Sequence, residues 1–160
     1  MNTSIRAAVI TVSDTRRAQD DLSGRVVSEI LSGHGVVVAD TLIISDELAP
    51  LREKLIELSD SGAIDLLITS GGTGFGPRDN TPEATRDVIE REAPGMAEAM
   101  RRDTAHKTPL SMLSRAVCGI RNSVLIINLP GSPKGARECL EVILPVLGHA
   151  VSLLRGEKPH

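Results

Sequence analysis

Residues 65–83 read Asp65-Leu66-Leu67-Ile68-Thr69-Ser70-Gly71-Gly72-Thr73-Gly74-Phe75-Gly76-Pro77-Arg78-Asp79-Asn80-Thr81-Pro82-Glu83. The first five residues form a short apolar run that stops at a glycine-rich turn, the pattern of a strand buried on both faces. Pro82 suits the first position of a helix, Glu83 suits the positive end of its dipole, and Thr81 is expected to cap it. Strand, tight turn and helix in immediate succession are half of a βαβ unit. The flanking sequence supplies the rest.

Towards the N-terminus, residues 5–12 (IRAAVITV) are a second apolar strand ending at Ser13-Asp14. A polar loop reaches Ser23-Gly24, after which Val26, Val27, Ile30 and Leu31 recur at helical spacing until Gly33 and Gly35. Val36 to Ile44 is the next strand, and Leu48, Leu51, Leu55 and Leu58 mark a helix that ends near Ser61-Gly62. Strand, helix, strand, helix, strand predicts right-handed crossovers and a mostly parallel sheet covered on both faces. Ligands of such sheets bind at the carboxyl ends of the strands, here Ser13-Asp14, Ser45-Asp46 and the turn from Ser70.

Towards the C-terminus, Pro82 to about Glu92 and Pro94 to about Ala105 read as two helical pieces broken at Ala93-Pro94-Gly95. Arg121-Asn122 is expected to turn a hairpin whose second strand is Val124 to Asn128. The last helix starts after Ser132 and runs towards Leu154, with a kink expected from Pro145 and Gly148. It is apolar nearly all round, so it lies at the centre of the core or is shared with another subunit. Residues 155–160 read as a frayed tail, and Arg101-Arg102 as solvated surface.

The 160 residues are 41% hydrophobic, with 18 Lys and Arg against 21 Asp and Glu for a net charge of −3. That is one domain, 1–160, able to bury on the order of 70% of its unfolded surface. Phe75 is the one aromatic residue other than histidine, which argues against a nucleic-acid platform of stacking rings. The slight negative charge argues against polybasic membrane binding. No segment approaches the roughly 20 apolar residues of a membrane span. Cys118 and Cys139 match no metal or disulfide spacing, and no secretory signal is evident, so a cytoplasmic protein is expected.

Four glycines in the 70–76 turn let backbone amides converge on anionic oxygens, and Arg78 and Asp79 in the same loop point to a phosphate or Mg²⁺ site. Neither GxxxxGK[ST] nor GxGxxG fits, because Pro77-Arg78 follows Gly76. Phe75 reads equally as a plug anchoring the loop or as a stacking surface for a purine or pterin ring. Asn128-Leu129-Pro130-Gly131-Ser132-Pro133-Lys134 is a second strand-turn-helix unit, with Ser132 as cap and Lys134 beside a helix N-terminus that suits an anion. Asp14, Asp46 and Asp79 together suggest hard oxygen ligands for Mg²⁺. The four histidines are scattered and no acyl-transfer triad is present.

Val12-Ser13-Asp14, Asp21-Leu22-Ser23-Gly24, Ser45-Asp46-Glu47, Ser70 to Thr85, Leu113-Ser114-Arg115 and Asn128 to Lys134, in this order, resemble the molybdopterin adenylyltransferase family, the MogA/MoaB group with the G domains of gephyrin. The resemblance covers nearly the whole chain. It implies a three-layer α/β/α fold, usually trimeric, that binds molybdopterin and Mg-ATP and transfers AMP to the pterin's terminal phosphate, releasing pyrophosphate. A separate molybdate-insertion protein would take the product. On this resemblance Asp46 and Asp79 are the catalytic, metal-positioning residues. Ser13, Asp14, Ser70, Gly71, Gly72, Thr73, Gly74, Arg78, Ser114, Arg115, Pro130, Gly131, Ser132, Pro133 and Lys134 fall in substrate-binding segments. Ser70 stands where the family more often has Thr, and Ser45 where many members have Pro. A non-catalytic pterin-binding scaffold and a nucleotide phosphohydrolase of the same fold are the alternatives.

Overall fold

The computed structural model describes residues 3–158. One six-stranded sheet has the order β2-β1-β3-β6-β5-β4, built from β1 (Arg6–Val12), β2 (Val37–Ile44), β3 (Leu66–Ser70), β4 (Arg91–Glu92), β5 (Cys118–Arg121) and β6 (Val124–Leu129). β2, β1, β3 and β6 run parallel, and β5 and β4 close the sheet with antiparallel pairings. The expected mostly parallel sheet is present. So is the hairpin, whose turn residue Asn122 has φ of 52°.

Alternation within the central strands divides the core into two layers. Ala7, Val9, Leu66, Ile68, Leu125 and Ile127 face one side, where α1 (Leu22–Gly33), α4 (Pro94–Thr104) and α5 (Pro133–Leu154) pack. Ala8, Ile10, Leu67, Val124 and Ile126 face the other, under α2 (Leu48–Asp60) and α3 (Thr81–Val88). With the rings scarce, Leu, Ile and Val do this filling, each buried side chain contributing about 1.5–3 kcal/mol. The result is a three-layer α/β/α domain.

Three expectations need correction. The helix after the glycine turn ends at Val88, not near Glu92. Ile89 is extended, and the amides of Glu90 and Ala93 donate to the carbonyls of Ile120 and Cys118, so pairing with the sheet edge prevails over helical continuation. Thr81 does not cap that helix through its side chain. Asn80 holds the cap position, and the Thr81 hydroxyl donates 2.9 Å to the Gly71 carbonyl. Arg155 is no part of a frayed tail. Its guanidinium donates to Asp65 and to the carbonyls of Thr3 and Ser4, fastening the end of α5 to the start of the sheet. Pro159 and His160 lie outside the described residues. α5 itself is continuous through Pro145. It buries Ala136, Cys139, Leu140, Ile143, Leu147 and Val151, and leaves Val146 and Leu153 about half exposed, at 49% and 54%.

Asp65 accepts from Arg155 (2.8 Å), from the Arg6 backbone (2.9 Å) and from the Arg6 side chain. Burial disfavours its charge, but these hydrogen bonds outweigh burial and hold its pKa below the ordinary 3.8. A depressed carboxylate contributes stability that is complete above the unfolded pKa and lost as pH falls through the folded one. Asp65→Asn is therefore expected to cost about 2–3 kcal/mol at pH 7, because two arginines lose a buried charged acceptor. In chemical denaturation followed by circular dichroism, the gap between variant and wild type should narrow below pH 3.8. A gap that stays constant down to about pH 2 would refute this account.

Candidate functional site

β1 connects to β2 on one side and lies against β3 on the other, so the carboxyl ends of β1 and β3 flank the point where the strand order reverses. Crevices form there because the outgoing loops diverge. The glycine turn leaves β3 at this place. Gly71 has φ of +109° and Gly72 of +67°, both in the region that favours glycine. The Gly71 amide donates to the Leu129 carbonyl, and the Ser70 hydroxyl donates 2.8 Å to the Pro130 carbonyl. Gly131 packs against the Gly71 Cα. The two strand-turn-helix units thus stand back to back, with Ser70 buried between them and its hydroxyl engaged there.

Ser132 caps α5, its hydroxyl accepting from the Gly135 amide at 3.0 Å. Arg16, which carried no expectation, donates to the Ser23 hydroxyl (2.8 Å) and the Gly131 carbonyl (3.1 Å) and so ties the Pro130 turn to the start of α1. Ser13 accepts from the amides of Thr15 and Arg16, shaping the turn after β1. Asn128 is buried beneath the site with both side-chain ends satisfied: its oxygen accepts from the Val117 amide, and its nitrogen donates to Thr69 and Thr85.

On one side of the glycine turn the carboxylates gather. Asp14 and Asp46 exchange hydrogen bonds, each backbone amide donating to the other's carboxylate at 2.9 and 3.0 Å. Arg78 grips Asp14 with two nitrogens, the Nη2 contact being 3.0 Å. Those bonds from Arg78, then the one from the Asp46 backbone, hold the Asp14 pKa below 3.8. Burial, followed by the adjacent negative charge of Asp14 and then that of Asp79, raises the Asp46 pKa above 3.8. Asp79 Oδ2 accepts 2.8 Å from the Gly76 amide, and the loop closes so tightly that a Cβ at Gly74 would lie 3.0 Å from that oxygen. Both Asp14 oxygens are occupied, whereas Asp46 Oδ1 and Asp79 Oδ1 accept no hydrogen bond from the described residues. Two crowded carboxylates with free oxygens fit Mg²⁺, which takes one or two carboxylates and fills its shell with water and phosphate. A three-residue cluster able to hold a metal by itself does not occur among the described residues.

On the other side of the turn lies a cavity of about 500 Å³. Thr73, Gly74 and Phe75 form one wall. Ala97, Met100 and Leu113 give it an apolar lining, and Arg101, Lys107 and Lys134 bring positive charge, with Ser114, Pro130 and Ser132 near the turn. Phe75 is 70% exposed, so it does not plug the loop into the core. Arg101 is not solvated surface as expected: Nη1 donates to the carbonyls of Ser114 (3.2 Å) and Ala116 (3.1 Å). Neither Asp46 nor Asp79 lines this cavity. The glycine turn is the partition between the two halves.

The expected residues accordingly separate into groups. Asp14, Asp46, Arg78 and Asp79 meet on the carboxylate side. Thr73, Gly74, Ser114, Pro130, Ser132 and Lys134 meet at the cavity, while Gly71, Gly72, Gly131 and Pro133 shape the turns. Arg115 turns away from the cavity towards the glycine loop.

A family model described as a probable molybdopterin binding domain matches residues 8–149. A molybdopterin adenylyltransferase of Helicobacter pylori (strain J99) is 40% identical over 157 residues, covering 96% of this chain and 89% of the relative. The crystal structure of the molybdopterin biosynthesis enzyme MoaB from Thermus thermophilus superposes with a TM-score of 0.88 at 47% identity, covering 97% of this chain and 98% of that one. A tungsten cofactor synthesizing protein MoaB from Pyrococcus furiosus gives a TM-score of 0.82 at 29% identity, over 95% and 98% of the two chains.

Proposed function

The chain belongs to the molybdopterin-binding family of molybdenum cofactor biosynthesis, and on that premise we propose that it adenylylates molybdopterin at this rim. An oxygen of the pterin's terminal phosphate attacks the α-phosphorus of ATP. The bond from that phosphorus to the bridging β-oxygen breaks, and pyrophosphate leaves. The observation that carries the reading is the partition itself. A cavity with apolar walls and cationic edges, suited to a ring with a phosphate, shares one glycine turn with a pair of carboxylates suited to a metal-bound triphosphate.

Two anions must approach, so the protein's part is positioning and charge compensation more than proton transfer. Asp46 and Asp79 would hold Mg²⁺, which when bound would neutralise the triphosphate and orient its leaving group. Asp14 and Arg78 fix Asp46 by their mutual contacts. The Gly71 and Gly76 amides are already engaged by Leu129 and Asp79, so Lys107 and Lys134 offer the charge to the acceptor phosphate, and exposed Phe75 offers a face to the ring.

Transfer of radiolabelled AMP from Mg-ATP to purified molybdopterin, with a pterin-free control, tests this. Transfer that requires the pterin supports it. Tight pterin binding without transfer would make the chain a binding or scaffold protein, and AMP release without pterin a phosphohydrolase.

The same reading includes a homotrimer, supported by the apolar face that α5 leaves uncovered at Val146 and Leu153. Sedimentation at micromolar concentration should give three times the 17.0 kDa chain mass, and a monomer would refute it. A cytoplasmic location fits two free cysteines. Among the described residues no helix is long and apolar enough to cross a membrane. The adenylylated product would pass to a molybdate-insertion protein.

A further inference from the structure

We propose that Arg115 is a positioning residue that fixes the Asp79 loop, held in turn by Arg101 from the cavity side; which step it positions rests on the adenylyltransferase reading. Its backbone amide donates 2.8 Å to the Thr73 carbonyl. Its Nε donates 2.8 Å to the Gly74 carbonyl, Nη2 donates 2.8 Å to the Asp79 carbonyl, and Nη1 pairs with Glu83 in the first turn of α3. One planar guanidinium therefore grips the loop at Gly74 and at Asp79 itself, and the helix that follows. A fork of this kind sets distances that a single ammonium cannot.

All three guanidinium nitrogens are engaged by the protein, and the side chain does not line the cavity. A direct contact with the pterin is thus not its role. Its neighbours are different: Ser114 and Ala116 do line the cavity, and Arg101 donates to both their carbonyls from α4. The order of contacts is cavity wall, Arg101, residues 114–116, Arg115, Asp79. A ligand seated against Arg101 and Ser114 steadies the segment whose arginine holds the metal-side loop. Glu83 adds sensitivity, because its Oε2 is buried with no hydrogen-bond partner and Arg115 is its ion-pair partner among the described residues.

Arg115→Lys and Arg115→Met test the proposal by three readouts: hydrogen exchange of residues 71–80, affinity for Mn²⁺ in the presence of ATP by electron paramagnetic resonance, and AMP transfer with kcat and KM separated. Arg115→Lys keeps a charge beside Glu83 and is the variant expected to fold even where Arg115→Met does not. The expected result is faster exchange in 71–80, Mn²⁺ affinity and kcat each lowered roughly 10- to 100-fold, and a KM for molybdopterin within about twofold of wild type. Unchanged exchange and Mn²⁺ affinity would overturn the proposal. So would a KM raised about tenfold at constant kcat, which is the mark of direct substrate contact. Failure of Arg115→Lys to fold would make Arg115 a residue of the fold alone and would overturn the proposal as well. If the wild-type protein transfers no AMP, the functional reading falls, while exchange and Mn²⁺ affinity still decide the role of Arg115.

Discussion

Asp79→Asn is expected to lower AMP transfer by roughly 10²- to 10³-fold, the scale on which a fixed electrostatic partner of a reacting charge acts, while leaving the fold and pterin binding nearly unchanged. The separation follows from geometry. Asp79 contributes to the loop through Oδ2, which accepts from the Gly76 amide at 2.8 Å. An asparagine oxygen accepts that bond equally well, so the turn keeps its shape. What disappears is the negative charge by which, with Asp46, this side of the turn would hold a cation on the proposed reading. The cavity lies beyond the partition and does not include Asp79, so molybdopterin affinity should stay within about twofold, well under the tenfold that about 1.4 kcal/mol represents. If weakened metal binding is the cause, raising Mg²⁺ should recover part of the lost rate by mass action. Full AMP transfer by the variant at ordinary Mg²⁺ would remove the metal role from Asp79. Loss of pterin binding together with activity would show that the two halves are not separable as described.

The sheet and its layers were legible because buried parallel strands announce themselves as aliphatic runs, and Ile5 to Val12 and Leu66 to Thr69 are such runs. The Ser132 cap was legible because a Ser-Pro pair before a helical pattern serves one local purpose. Sequence proximity failed where a side chain's partner is remote. Arg101 reads as solvated surface and Arg155 as part of a frayed tail, since nothing local reveals that one meets the carbonyls of Ser114 and Ala116 and the other meets Asp65, 90 residues away. Arg16 carries no local signal for the same reason: its acceptor on Gly131 lies 115 residues along the chain. Thr81 was misread because its hydroxyl had two acceptable uses, a cap or a tie to Gly71, and tertiary approach selects the second. The carboxylates read as three alike but stand as two plus one. Only coordinates reveal that Arg78 and the Asp46 amide between them consume both oxygens of Asp14.

Gly71→Ala is expected to lower stability by about 3 kcal/mol or more, from two sources that do not substitute for each other. At φ of +109° an L side chain is strained wherever it points, and such backbone conformations cost on the order of 1–3 kcal/mol. The new methyl would also stand 2.5 Å from the Val12 carbonyl oxygen, which belongs to the backbone of a buried strand and has no rotamer by which to yield. Overpacking of this kind adds about 1–3 kcal/mol. For a chain of this size a loss of about 3 kcal/mol lowers the melting temperature by roughly 6–12 °C, and a larger loss by more, to be followed by circular dichroism since Trp and Tyr are absent. Gly33→Ala supplies the contrast. That glycine ends α1 with no atom within 4 Å of its missing Cβ, and the change should be neutral or stabilising by a few tenths of a kcal/mol. The functional loss at Gly71 should exceed what the unfolded fraction explains. The clash can be relieved only by moving the end of β1, which bears Asp14, away from the turn that bears Asp79. At a temperature where both proteins are fully folded, Gly71→Ala should therefore still transfer AMP at least tenfold more slowly, since a misplacement of about 1 Å carries a penalty of up to about 10². Equal rates there would mean that the close packing of β1 against the glycine turn serves stability alone.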